Sequence, residues 1–241
     1  VSEFAGVLFD MDGVLIDTHN AIVGLWQAVA AEHGVGLTDD DVRRHVTGCA
    51  PEHTIAAVFA AVSEPRRQRI LDVVRAAEPD LEFEELPGAA DLISELHQAG
   101  VPLALVTGGS RARCDRVLEK LGLADVFDAV VAWGDVDAGK PAPDCYELAA
   151  RRLGLPPGSC LAFEDAAGGV RSAVGAGVVC VGVSKNRAAL MACGAQEVVD
   201  DLSQVRCHRD GRVELFHDGV AVTGFAFPVT GERSHRARNV W

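Results

Sequence analysis

The chain has no long hydrophobic run: no segment of its 241 residues approaches the roughly 20 unbroken apolar positions that a membrane-spanning helix needs. A membrane is therefore not an expected partner. The opening Val1-Ser2-Glu3-Phe4 has no basic flank and leads straight into an apolar run, so no signal peptide is read and a cytoplasmic protein is expected. Positive charge is also scarce. Lys and Arg number 22 against 35 Asp and Glu, a formal net charge of −13, which argues against nucleic acid as a partner. Seven cysteines, an odd number, include no C-x-x-C pair, and the eight histidines show no ligand spacing, so reduced and mostly buried thiols are expected rather than zinc or a disulfide framework. The sole tyrosine, Tyr146, is followed four positions on by Ala150. The Tyr-x-x-x-Lys pair of a short-chain dehydrogenase is thus missing, and Ala112 and Cys114 stand where the later glycines of its nucleotide loop belong.

What is present is a folded composition, with 49% hydrophobic residues and a mean hydropathy of +0.15. This length accommodates one substantial core with an insert, or two small domains. The organising stretch is Ala5-Gly6-Val7-Leu8-Phe9-Asp10-Met11-Asp12-Gly13-Val14-Leu15-Ile16-Asp17-Thr18. Its apolar run is too short for a helix and suits a buried parallel strand. Asp10 and Asp12 follow at the strand's carboxyl end, where open α/β sheets bind ligands. Two anions so close require a cation or a shared proton. Taken alone, Asp-x-Asp-Gly is also a common turn.

After Thr18 the pattern becomes helical. Ile22, Leu25, Trp26 and Val29 form one apolar stripe, Thr38 with Asp39–Asp41 reads as a cap and acidic first turn, and helices are expected near 51–62 and 64–78. Residues 19 to about 84 are read as an all-helical insert closed by Leu86-Pro87-Gly88. Strands and helices then alternate, with strands at 103–106, 129–132, 160–163, 178–183 and 197–199, as a parallel sheet with covering helices requires. The expected organisation is an α/β core over 1–17 and 87–205, a helical cap over 18–86, and a tail over 206–241. Within the tail, 212–216 and 220–227 read as a β-hairpin around Asp218-Gly219, and Gly231–Trp241 is polar, basic and loose.

Three more elements follow apolar runs. Thr107-Gly108-Gly109-Ser110 offers hydroxyl and backbone donors to an anion. Lys140 lies in a loop with two prolines, and Glu164-Asp165 closes the strand at 160–163. Individually a loop lysine is a solvated charge and Glu-Asp a helix cap. In order, however, Asp-x-Asp, Thr, Gly-Lys-Pro and Glu-Asp resemble the four signatures of the haloacid dehalogenase superfamily, over about residues 4–203. Gly168-Gly169, Ala173 and Ala176-Gly177 extend the likeness.

This resemblance implies a doubly wound, Rossmann-like parallel-sheet core with a helical cap, and a Mg²⁺-dependent phosphatase. Asp10 is implied as nucleophile, Asp12 as general acid and base, and Thr107, Gly108 and Lys140 as the phosphoryl clamp. It also implies Mg²⁺ ligation by Asp10, the Asp12 carbonyl and Asp165, with Glu164 in or near the shell. Gly48, Cys49 and Glu52 stand where relatives carry a substrate-contact loop of the form Gly-Arg-x-x-Glu. Cys49 replaces the arginine of that loop. Pro51 and Ile22 occupy the places of a loop arginine and a hinge histidine expected in a β-phosphoglucomutase-like mutase, so a phosphatase for a small sugar, polyol or sugar-like phosphate is favoured over a mutase. Trp26 in the first cap helix fits that choice. A dehalogenase, which works without metal, is disfavoured by Asp12 and Asp165, and a non-catalytic binding protein by the completeness of the charged set. The expected partner is a small phosphorylated metabolite, and the expected state a monomer or at most a dimer.

Overall fold

The computed structural model describes residues 2–208, 212–217 and 219–227. The chain begins with β1 (Ser2–Glu3) and β2 (Gly6–Phe9), turns tightly, and continues as β3 (Ile16–Asp17) into α1 (His19–Glu32). Thr38 then opens α2 (Asp39–Asp41) through a reciprocal capping box with Asp41, which passes into a π-helical turn at Val42–Val46. The insert continues with α3 (Pro51–Val58) and α4 (Glu64–Ala77), a 3₁₀ turn at Glu78–Asp80, and β4 (Glu84–Glu85). Next come α5 (Ala89–Gln98), β5 (Leu103–Val106), α6 (Arg111–Lys120), β6 (Ala129–Val131) and α7 (Asp144–Leu153). The remainder is β7 (Cys160–Glu164), α8 (Ala167–Gly175), β8 (Val179–Val183), α9 (Arg187–Met191), β9 (Glu197–Val199), β10 (Val205–Cys207), β11 (Arg212–His217) and β12 (Val220–Ala226).

The main sheet has the order β6-β5-β2-β7-β8-β9, and every pair in it is parallel. The chain thus starts at β2, winds outward to one edge, and returns to wind outward to the other. The α/β class with an inserted helical cap is the one read from the sequence. Strand residues alternate between two buried faces. Val7, Phe9, Leu103, Leu105, Leu161 and Phe163 join the cluster beneath α5 and α6, while Leu8, Ala104, Val106, Ala162 and Cys180 join that beneath α7 and α8. The insert has a separate cluster built on Trp26, Phe59, Ile70 and Val74.

Two features differ from the expected layout. Residues 84–85 are not helical: β4 pairs antiparallel with β3, so the two crossings into and out of the insert form a two-residue ribbon. Two residues are too few to show a strand period. The tail hairpin is present as expected but is not a free appendage. β10, β11 and β12 form a second sheet that takes in β1, whose pairing with β12 is parallel. Val213, Leu215, Phe225 and Phe227 pack in the main core, with Phe225 edge-on to Phe4 at 5.4 Å. Gly231–Trp241 lies outside the described residues.

Phe225 is 1% exposed. Phe225→Ala is expected to cost about 3–5 kcal/mol and lower the melting temperature by roughly 6–20 °C. An unchanged melting curve would show that the tail sheet contributes nothing to the fold.

Candidate active site

β2 pairs Phe9 with Leu105 on one side and with Phe163 on the other. The next residues outward, Asp10, Val106 and Glu164, therefore end at one level, at the point where the winding of the sheet reverses. This is the crevice in which doubly wound folds place their ligands. The Asp10 amide donates to the Phe163 carbonyl (3.0 Å) and the Thr107 amide to the Val131 carbonyl (2.9 Å), which sets both side chains relative to the strand ends.

Lys140 lies at the centre. Its ammonium donates to Asp10 Oδ1 (2.6 Å) and to the Val106 carbonyl (2.9 Å), and stands 2.6 Å from Glu164 Oε1. All three groups are almost wholly buried. Tyr146 also donates to Glu164 Oε1 (2.6 Å), so both contacts of Glu164 fall on one oxygen. Burial opposes the lysine's charge, but Asp10 and Glu164 outweigh it and lift the Lys140 pKa above the ordinary lysine value. Burial also pushes Asp10 up, to about 7, against the pull of Lys140 and with help from Glu164 and Asp12. Asp165 is raised well above the usual carboxylate range by burial and then by Asp10 and Glu164.

These shifts express a charge imbalance. Asp10, Glu164 and Asp165 can bring one oxygen each within 4.8 Å of one another. Three carboxylates against one ammonium leave two negative charges, the charge a divalent cation cancels. Asp165 Oδ1 is shut off from solvent and has no hydrogen-bond partner among the described residues, as an oxygen reserved for a ligand would be. Hard oxygen donors with partial charge compensation suit Mg²⁺. Gly13 adds a steric constraint. Its φ is +86°, and a Cβ there would lie 2.0 Å from Asp165 Oδ2, so any side chain at this turn expels the Asp165 carboxylate.

The remaining expected residues divide. Thr107 is buried, and its Oγ1 accepts the Gly109 N–H (2.9 Å), which leaves the hydroxyl proton to point elsewhere. Asp12, Thr107, Gly108, Gly48 and Cys49 line one cavity with Asp10 and Lys140. Gly48 brings the insert down onto the core: a Cβ there would lie 2.6 Å from that of Ala166. Glu52 is not among the described residues that line this cavity. Its carboxylate pairs with Arg75 of α4 at 2.5 Å, and that guanidinium in turn lies 3.9 Å over the Trp133 ring of the core. The residue expected to touch substrate thus ties two insert helices together and holds the arginine that meets the core.

Four residues at the site were given no role by the sequence. Thr18 donates to Asp12 Oδ1 (2.7 Å), and so does Arg113 (3.1 Å). Arg113 also meets Glu78, and Tyr146 anchors Glu164. Tyr146 was detectable as an inward position of α7. Arg113 and Glu78 were not, because arginine and glutamate on helices ordinarily face water.

Fold and constellation together define a capped α/β hydrolase built around paired anions and a buried lysine. The chain belongs to the haloacid dehalogenase-like hydrolases, whose family profile matches residues 4–177. It is 33% identical over 202 residues to the validoxylamine A 7'-phosphate phosphatase of Streptomyces hygroscopicus subsp. limoneus, covering 83% of this chain and 94% of that protein. It is 36% identical over 184 residues to hexitol phosphatase A of Escherichia coli, covering 74% and 82%. The crystal structure of the β-phosphoglucomutase of Clostridium difficile superposes with a TM-score of 0.70 over 84% of this chain and 93% of that one, at 22% identity, a likeness of fold.

The charge argument has a direct thermal test. At a hundredfold excess over its dissociation constant, Mg²⁺ is expected to stabilise metal-free protein by about 2.7 kcal/mol, or roughly 5–10 °C in melting temperature. Asp165→Asn is expected to melt higher than the parent without metal and to lose most of this shift. A Mg²⁺ shift of equal size in both proteins would remove Asp165 from the metal site.

Proposed function

We propose that the protein is a Mg²⁺-dependent phosphatase that hydrolyses the phosphate monoester of a small sugar, polyol or sugar-like alcohol through an aspartyl-phosphate on Asp10. The observation that carries this reading is the Asp10 carboxylate, held 2.6 Å from a buried ammonium beside two further carboxylates and open to a cavity under the insert. Membership of the hydrolase family and kinship with two phosphatases support the class, a phosphoric monoester hydrolase.

In this mechanism Lys140 and the Thr107 hydroxyl hold the phosphoryl oxygens while Asp10 attacks phosphorus. The P–O bond to the alcohol breaks, and Asp12 gives its proton to the departing oxygen. Asp12, now a carboxylate, takes a proton from water as that water attacks the Asp10 phosphate, which returns free Asp10 and inorganic phosphate. Asp10, the Asp12 carbonyl and Asp165, with Glu164 close by, would hold Mg²⁺, which would supply the positive charge that lets a carboxylate approach an anionic ester. The acidic surface makes such a local positive field necessary.

The mutase alternative needs a second cationic pocket for a second phosphate. The cavity wall given by the insert includes Ile22, Leu25, Trp26, Val46, Val74 and Leu81 with the Glu78 carboxylate beside them, and among the described residues no basic side chain of the insert lines it. Arg113 lines the cavity from the core and is already paired with Asp12 and Glu78. An apolar wall with a tryptophan suits the C–H face of a sugar or cyclitol carrying one phosphate. We take 18–86 as the mobile cap, with its hinge at the ribbon of β3 and β4. The free thiols of the six cysteines from Cys49 to Cys193 support a reducing cytoplasm.

Asp10→Asn is expected to lower phosphate release from hexitol phosphates by roughly 10³-fold or more while the protein still folds. Parental activity in that variant would refute the nucleophile. Glucose 1-phosphate with added glucose 1,6-bisphosphate is expected to yield inorganic phosphate, and accumulation of glucose 6-phosphate would establish the mutase.

A further inference from the structure

Arg113 is among the largest fully buried side chains of the protein, 1% exposed, at a position of α6 where an arginine would ordinarily reach water. Burying a guanidinium is expensive unless its charge and its donors are met. Here they are met from two sides. Nη2 donates to Asp12 Oδ1 at 3.1 Å, while Nη1 donates to the Glu78 main-chain carbonyl at 2.9 Å, and Nε stands 3.5 Å from Glu78 Oε1. Asp12 belongs to the core loop after β2, whereas Glu78 belongs to the insert, just beyond α4.

The contacts of each carboxylate are specific. Glu78 also accepts from the Ser110 amide (3.1 Å) and from the Ser110 hydroxyl at the start of α6. It thus grips the same helix turn that carries Arg113. Both hydrogen bonds to Asp12, from Arg113 and from Thr18, fall on Oδ1. Thr18 stands where the chain enters the insert, and Glu78 near where it leaves. Each group that orients Asp12 is therefore on the insert or is itself held by it. Asp12 lines the cavity, and with Oδ1 so occupied its Oδ2 is the oxygen left for proton transfer.

We propose that Arg113 is a positioning residue that, gripped by Glu78 of the insert, orients Asp12 for proton transfer to the leaving oxygen. This rests on the phosphatase reading above. Its physical basis is that an acid off its line by about 1 Å loses much of its effect, and that two donors converging on Oδ1, the Arg113 guanidinium and the Thr18 hydroxyl, restrain a carboxyl group that one donor leaves free to turn.

A test must separate orientation of Asp12 from general support of the fold. The kcat/KM for p-nitrophenyl phosphate reports attack on an ester whose leaving group departs without a proton. The kcat/KM for sorbitol 6-phosphate reports attack on one that needs it. Arg113→Lys and Arg113→Met are expected to lower the ratio of the sorbitol 6-phosphate value to the p-nitrophenyl phosphate value by about 10²-fold, within the range of general acid catalysis. Glu78→Gln, which removes the grip from the insert side and leaves the arginine in place, is expected to lower the ratio in the same direction by a smaller factor. It decides the matter should the Arg113 variants fail to fold, as judged from their melting curves. An equal loss on both esters, or an unchanged ratio, overturns the proposal. A parent protein that releases phosphate from neither ester overturns the phosphatase reading instead, and this inference with it.

Discussion

The structure turns on one unequal balance of charge: a single buried ammonium, Lys140, set among the carboxylates of Asp10, Glu164 and Asp165. In a folded interior such an excess of anions is unfavourable, and only a bound cation or bound protons relieve it. The strain shows in the direction of the carboxyl shifts, upward at Asp10 and Asp165. An ordinary core would have replaced these groups. Their retention beneath a cavity, with one carboxylate oxygen lacking a partner among the described residues, is what makes the arrangement chemical rather than structural.

The fold exists around that balance in a literal sense. The three strands β2, β5 and β7 end together because the chain starts in the middle of the sheet and winds both ways. The turn after β2 must be free of a side chain at Gly13 so that Asp165 fits beside it. Above, the insert supplies an apolar lid with its own small core, joined to the sheet domain by polar pairs: Glu78 with Ser110 and Arg113, Arg116 with Asp80, and Arg75 stacked on Trp133. The exposed pair of Arg116 and Asp80 is individually modest, whereas the buried Arg113 depends on both of its carboxylate partners.

Much of this was legible in the sequence for a definite reason. Strands buried on both faces appear as short unbroken apolar runs, and the three central ones, β2, β5 and β7, lead directly into Asp10, Thr107 and Glu164-Asp165. Fold and core site were therefore written in the same places. Contacts between distant segments were not. Nothing local distinguishes Arg113 from a solvated helix arginine, or marks Glu78 as its partner 35 residues earlier. Glu52 looked like a substrate contact because its neighbours fit a pattern, yet its carboxylate faces Arg75 of α4. The ribbon of β3 and β4 was too short for any periodicity, and the parallel pairing of β1 with β12 joins opposite ends of the described chain. Local pattern reveals elements, and long-range charge pairing needs coordinates.

Anomalous diffraction at the manganese edge, from crystals of the full chain grown with Mn²⁺ in place of Mg²⁺, tests the charge account most directly. One strong peak is predicted between the carboxylates of Asp10 and Asp165, beside the Asp12 carbonyl. A map with no peak there, from crystals in which Mn²⁺ supports turnover, would contradict the account.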